Sequence, residues 1–214
     1  MIAVTAIILI LVGIAIPSMI NVLHSARLHG TGSDLVSLVQ QSRSRAVQDD
    51  RFYSVRFNSS QAYVDICPQS LNGTSGNGGT GIAVCTPATP PQVTPKDPVI
   101  QISPEISLQP FANAPNTGSG AGGLQKQFLG TNPGNVVPLD GNTIVSPVTF
   151  GPEGVPCTPT VKTGGTVCNT SSSPLVAYWF FFQDTATQQW AAVTVTPAGR
   201  IQKWFYSGGA WSTF

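Results

Sequence analysis

The sequence predicts an α+β protein, with a long N-terminal α-helix over residues 1–50 packed on a β-rich C-terminal head over residues 51–214. Three observations carry this expectation. No Asp, Glu, Lys or Arg precedes Arg27, and the opening run is dominated by Ile, Leu, Val and Ala. Apolar residues at helical spacing follow it. The C-terminal fifth alternates apolar and polar residues as strands do, and it holds all four tryptophans.

The run "TAIILILVGIAIPSMINVL", residues 5–23, reaches the roughly 20 residues that span a bilayer, so residues 1–23 read as a membrane anchor. A cleaved signal peptide needs a basic n-region and a small-residue cleavage site. Here the basic region is absent, and Gly13 and Ala15 lead straight into Ile16 and Pro17. Proline removes a backbone N–H and clashes with the preceding turn, which predicts a locally weak helix between Gly13 and Pro17. Residues 33–50 form the amphipathic part, because Leu35, Leu38, Val39 and Ala46 recur at spacings of three, four and seven and share one face. Ser33 or Asp34 is the expected N-cap, and Arg43 and Arg45 fall where the helix dipole favours cations. Between the two parts, "LHGTG" (28–32) predicts a kink or loosened turn.

In the head, "RFYSVRF" (51–57) and "QAYVDIC" (61–67) read as a hairpin. Phe52, Ser54 and Arg56 alternate with Tyr53, Val55 and Phe57. Residues 68–147 are rich in Gly, Ser, Thr, Asn and Pro and read as long surface loops around one or two strands, with strand alternation clearest in "PVIQISPEISLQ" (98–109). "LVAYWFFF" (175–182) has the length of a strand buried on both faces. "WAAVTVT" (190–196), the turn "PAGR" (197–200), "IQKWFY" (201–206) and "AWSTF" (210–214) complete a second set of hairpins. The clustered tryptophans predict a core packed against the long helix.

The net charge of +1 hides an uneven balance. Residues 24–56 carry five Arg against three Asp, residues 57–184 three Lys against six acids, and residues 185–214 Arg200 and Lys203 with no acid. The four cysteines, Cys67, Cys85, Cys157 and Cys168, form no C-x-x-C pair and lie far in sequence from His24 and His29, so zinc and thioredoxin spacings are absent. Disulfides are the expected use, in an oxidising compartment. Four cysteines allow three connectivities, and proximity favours Cys67 with Cys85 and Cys157 with Cys168. Each crosslink would close a short loop and contribute about 3 kcal/mol. Enzymatic readings find no support. His24 and His29 lie about 140° apart around a helix, no P-loop, G-x-S-x-G or H-E-x-x-H motif occurs, and Asp49 with Asp50 reads as a solvated helix end. No catalytic, metal-binding or cofactor-binding residue is expected.

"AIILILVGIAIPSM" (6–19), followed by an amphipathic helix and a β-rich head, resembles the type IV pilins and type II secretion pseudopilins. "LVSLVQQSRSRAVQDD" (35–50) resembles the corresponding helix of H-type pseudopilins and FimT-like minor pilins. "VTFGPEG" (148–154) and "VTPAGRIQKW" (195–204) resemble two of their strand-turn motifs. The resemblance covers the first 57 residues well and the last 70 patchily, and it does not extend to residues 68–147.

The resemblance implies a pilin-like fold and a structural minor pilin or pseudopilin subunit, with other such subunits as partners and no cofactor. Ile7, Ile8, Leu11, Gly13, Ile16 and Pro17 would form the helix used first as inner-membrane anchor and then as assembly stalk. The head would lie outside the bacterial cytoplasm, in a periplasmic or cell-surface filament after assembly. Family members carry a basic leader cut by a prepilin peptidase and a glutamate shortly after the cut. Alignment places that glutamate just before Met1, so either the start lies upstream or the chain is truncated, and a prepilin peptidase is a partner only if an upstream leader exists. Some FimT-like proteins bind DNA through a basic G-R-x-R hairpin. The matching positions here read Gly199, Arg200, Ile201 and Gln202, followed by Lys203. The resemblance thus offers Arg200 and Lys203 for DNA, but strand alternation puts them on opposite sides, and a polar hairpin edge is the simpler reading.

Overall fold

A computed structural model of the chain describes residues 2–57, 61–66, 99–130, 136–141, 148–162, 165–168 and 175–213. One helix, α1 (Ile2–Gln48), opens it. The strands β1 (Tyr53–Phe57), β2 (Gln61–Ile66), β3 (Val99–Gln101) and β4 (Ile106–Gln109) follow. A 3-10 turn (Phe111–Asn113), the short helix α2 (Leu124–Leu129) and β5 (Val136–Asp140) come next. Then come β6 (Val148–Phe150), β7 (Pro159–Lys162), β8 (Gly165–Cys168), β9 (Leu175–Asp184), β10 (Trp190–Val195), β11 (Ile201–Ser207) and β12 (Ala210–Thr213). The architecture is mixed helix and sheet, with an N-terminal helix and a β-rich C-terminal region.

Two sheets share the helix. One runs β3-β2-β1-β6, and the other runs β12-β11-β10-β9-β4, with β5 pairing in parallel along the same edge of β9 as β4. β7 and β8 form a separate hairpin. Leu28, Leu35, Leu38, Val39 and Ala46 make one buried stripe of α1, the spacing expected of an amphipathic face. The stripe packs on Val55, Val64 and Phe150 of the first sheet and on Tyr178, Phe180, Phe182 and Phe205 of the second.

A strand's successive side chains point to opposite faces, so β9 is buried twice over. Tyr178, Phe180 and Phe182 face α1, while Ala177, Trp179 and Phe181 join Leu124 and Phe128 of α2 in a second core. This corrects the expectation for the tryptophans. Trp179, Trp204 and Trp211, with Trp190 packed beside them, belong to the core on the far side of the sheet from α1, because each stands one register position away from the helix-facing set.

Other expectations are revised as well. The strand foreseen over 98–109 is two strands in two sheets. Pro104, which has no N–H to give a ladder, sits in a turn closed by the Ile106 N–H on the Ser103 carbonyl (2.9 Å). Residues 68–147 contain α2 and β5 beyond the strands anticipated there. The "LHGTG" kink is absent, since α1 runs unbroken through Gly30 and Gly32. Gly32 is there for space: a Cβ on it would stand 3.0 Å from Lys203 Cδ and 3.2 Å from the Phe182 ring. Ser33 is mid-helix rather than an N-cap, and its hydroxyl donates back to the His29 carbonyl (3.0 Å). α1 also continues through Pro17, which deletes only one hydrogen bond of the ladder.

No helix among the described residues is long and apolar enough to cross a membrane. This overturns the expected single-pass anchor over residues 1–23 and the inner-membrane localisation drawn from it. A span needs about 20 apolar residues. Where the side chains of α1 are described, from Met19 onward, the apolar stretch reaches only Leu23, and His24, Arg27, Asp34, Arg43 and Arg45 follow on the same helix. The side chains of Ile7, Ile8, Leu11, Gly13, Ile16 and Pro17 lie outside the described residues.

α1 ends in a Schellman-type cap. Asp50 takes a left-handed conformation (φ 51°), and the Arg51 N–H reaches the Ala46 carbonyl (3.2 Å). Asp49 accepts a hydrogen bond from the Tyr53 hydroxyl. Burial, helped by that carboxylate, pushes the phenol up to about 12.

Candidate functional site

The polar side chains of α1 hold the helix to the sheets at two places. At the first, His24 Nδ1 lies 3.0 Å from Asp184 Oδ2 and 3.9 Å from Glu105 Oε2, and Arg27 forms an ion pair with Glu105. Glu105 is presented by the Pro104 turn between β3 and β4, and Asp184 ends β9. Asp184 is fully buried. Its Oδ1 accepts from the N–H groups of Ala186 (3.0 Å) and Thr187 (2.7 Å) and from the Thr187 hydroxyl (3.1 Å). Burial pushes this carboxyl up. The Thr187 N–H, His24, the Thr187 hydroxyl and the Ala186 N–H together outweigh burial and hold it below the usual carboxylate range. With both carboxylate oxygens engaged, the His–Asp pair organises a turn and orients a helix.

The second place is Arg43. Its Nε donates to the Gly154 carbonyl (2.8 Å) and its Nη1 to the Gly199 carbonyl (2.9 Å). These glycines close two turns of the same construction, Gly151-Pro-Glu-Gly154 and Thr196-Pro-Ala-Gly199. In each, the glycine N–H bonds the residue three back (2.8 Å), and that residue's N–H bonds the carbonyl of the residue four ahead (3.1 and 2.9 Å). Both glycines have positive φ, 72° and 79°, the region that suits Gly. The turns touch: a Cβ on Gly199 would lie 2.9 Å from the Gly154 oxygen. The two motifs singled out in the sequence thus meet at one arginine. Between the clamps, Lys203 Nζ donates to Ser33 Oγ (2.9 Å) and lies over the Phe205 ring (5.5 Å), on which His29 also packs (3.8 Å).

Directly before the first clamp the described side chains are exposed. Met19, Ile20, Val22 and Leu23 are 66, 48, 64 and 47% exposed, a contiguous apolar surface of the kind that marks an interaction site. One continuous helix therefore carries a segment tied into the β-rich region and, directly before it, exposed apolar side chains.

The hairpin cations are not brought together. Lys203 faces α1, whereas Arg200 and Gln202 face the opposite side, with Trp204. Arg56, which could have extended a basic patch, is buried at 4% exposure. Cys157 is disulfide-bonded, and its carbonyl accepts from the Tyr178 hydroxyl (3.2 Å). The backbone of Cys168 pairs with that of Pro159 across the β7–β8 hairpin, and the Cys168 side chain lies outside the described residues, as do Cys67 and Cys85.

Sequence reasoning missed Glu105, Asp184 and the role of Arg43. A signal was present for part of this: His24 and Arg27 are three apart and so share a helix face, and the Pro-x-Gly turn occurs twice. No protein-family model, curated protein or solved structure matches the chain.

Proposed function

We propose that the chain is a structural subunit of a filament of the type IV pilus or type II secretion kind, a minor pilin or pseudopilin with a pilin-like arrangement of helix and head. The observation that carries this reading is the contrast along α1. From His24 the helix is clamped to two sheets, and immediately before it Met19, Ile20, Val22 and Leu23 stand exposed, ready to pack against the same segment of neighbouring subunits. The resemblance of residues 6–19 and 35–50 to that superfamily supports it. In this role the head needs no chemistry of its own, and the clamps fix the angle at which it leaves the filament. Cys157 would be joined to Cys168, closing the β7–β8 hairpin. The DNA-binding alternative loses ground, because Arg200 and Lys203 lie on opposite faces.

Val22→Glu with Leu23→Glu tests the assembly role. The full chain should lose self-association by analytical sedimentation and by electron microscopy while keeping its thermal midpoint, since neither side chain is buried. If the double variant associates as well as the parent, this surface is not the assembly surface.

A further inference from the structure

On the far side of the second sheet from α1, α2 and the β11–β12 hairpin enclose an open cleft of about 480 Å³. Its floor is Phe128, Trp204 and Trp211, which are 8, 4 and 2% exposed. The indoles are fixed, since Trp204 Nε1 donates to Thr194 Oγ1 and Trp211 Nε1 to the Pro115 carbonyl, both at 2.8 Å. The rim is polar: Arg200, Gln202, Gln127, Ser212 and Thr213. None of these five side chains has a hydrogen-bond or ion-pair partner among the described residues. Arg200 is also held at the backbone, its N–H on Thr196 Oγ1 (3.0 Å) and its carbonyl accepting from the Thr196 N–H (2.9 Å).

The chemistry of the rim selects a ligand class. Two carboxamides and two hydroxyls each donate and accept, which matches the hydroxyls of a sugar. A single guanidinium, with no acid in the lining, matches one carboxylate, which it can meet with two parallel N–H bonds. A nucleobase would need an open aromatic face to stack on, and the floor rings are too buried to offer one. A polyanion would need several cations, and the cleft has one. We propose that this cleft binds an acidic saccharide, its carboxylate on Arg200 and its hydroxyls on Gln127, Gln202, Ser212 and Thr213. The site is independent of the assembly surface on α1.

The test is titration of the full chain with a short oligomer of galacturonic acid, its methyl ester and a neutral galactose oligomer, followed by tryptophan fluorescence and saturation-transfer NMR. The acid should bind saturably at millimolar concentration or below, with the ester and the neutral oligomer at least about tenfold weaker, as loss of a charge-assisted bond implies. Arg200→Gln should cost the acid about the same tenfold and leave the ester unchanged. Gln202→Ala should weaken both, and Lys203→Gln, on the opposite face, neither. Arg200 is exposed and its side chain unpartnered, so the variant should keep the parent's thermal midpoint. Absence of saturable binding by the acid, unchanged preference for acid over ester in Arg200→Gln, or equal loss in Lys203→Gln would overturn the proposal. So would competition by inorganic phosphate or single-stranded DNA as strong as that of the acid itself.

Discussion

The two clamps on α1 hold the same helix by different chemistry. At His24 and Arg27 the partners are carboxylates, one fully buried and one half exposed. At Arg43 the partners are neutral carbonyls of two buried glycines. A carboxylate clamp depends on protonation and salt, whereas a guanidinium on carbonyls depends on backbone geometry and on little else in ordinary buffers. The comparison separates two tasks. Arg43 joins a turn of each sheet where the helix ends, and the carboxylate clamp fixes the helix where it leaves the sheets and the exposed apolar segment begins.

The largest effect is expected at Asp184. Asp184→Ala removes the acceptor for two backbone N–H groups, a hydroxyl and His24 together, and should cost about 3 kcal/mol, the scale of a broken buried charged network. Urea unfolding measures it. The acid limb is the sharper test. The folded carboxyl is held below its unfolded value of about 3.9, so its contribution is complete above that value and is lost as pH falls through the lower folded one. The parent should therefore lose stability there and Asp184→Asn should lose less. Equal acid limbs would show that Asp184 does not drive the transition.

Arg43→Ala comes next, at about 2 kcal/mol, for two buried carbonyls left without their donor. Arg43→Lys should recover about half, since one ammonium cannot reproduce the planar fork. Unlike the Asp184 loss, this one should be the same at acid and neutral pH. A strong pH dependence would mean that Arg43 acts through a carboxylate rather than through Gly154 and Gly199. Arg27→Ala should cost under about 1 kcal/mol and fade with added salt, because its pair with Glu105 is exposed. A loss as large as that of Asp184→Ala would make Arg27, rather than His24, the centre of the first clamp.

The same division explains what could be read from the sequence. The buried stripe of α1, the doubly buried β9 and the hairpins of β1–β2 and β10–β11 follow from local periodicity, and so they were legible. Arg43 and Gly199 are 156 positions apart, and His24 and Asp184 are 160 apart, so no local pattern announces either contact. α2 escaped notice because six residues among glycines carry little helical signal of their own. It is held by burial of Leu124 and Phe128 against Trp179 and Trp211, which is a tertiary cause. The tryptophans were misplaced for a related reason. Composition says that they are in a core, while strand register decides on which side. The separation of Arg200 from Lys203 was a matter of register too, and there simple alternation sufficed.

The smallest effect concerns His29, which lies between the clamps. Its ring packs on Phe205 at 3.8 Å, and burial, then the charge of Lys203, hold it below its ordinary value of 6.5. The folded state therefore resists a proton that the unfolded chain accepts. Its contribution is complete above about pH 6.5 and declines as pH falls toward the folded value, well before the acid limb of Asp184 begins. The slope should be shallow, since the ring is only partly buried. His29→Phe keeps the ring packing and should remove the slope, and Lys203→Met should reduce it. Urea midpoints at mildly acidic and mildly alkaline pH decide the matter. A parent curve that is flat across this window, or a His29→Phe curve with the same slope, would show that the proton is taken up elsewhere and that the middle of the helix is held by packing alone.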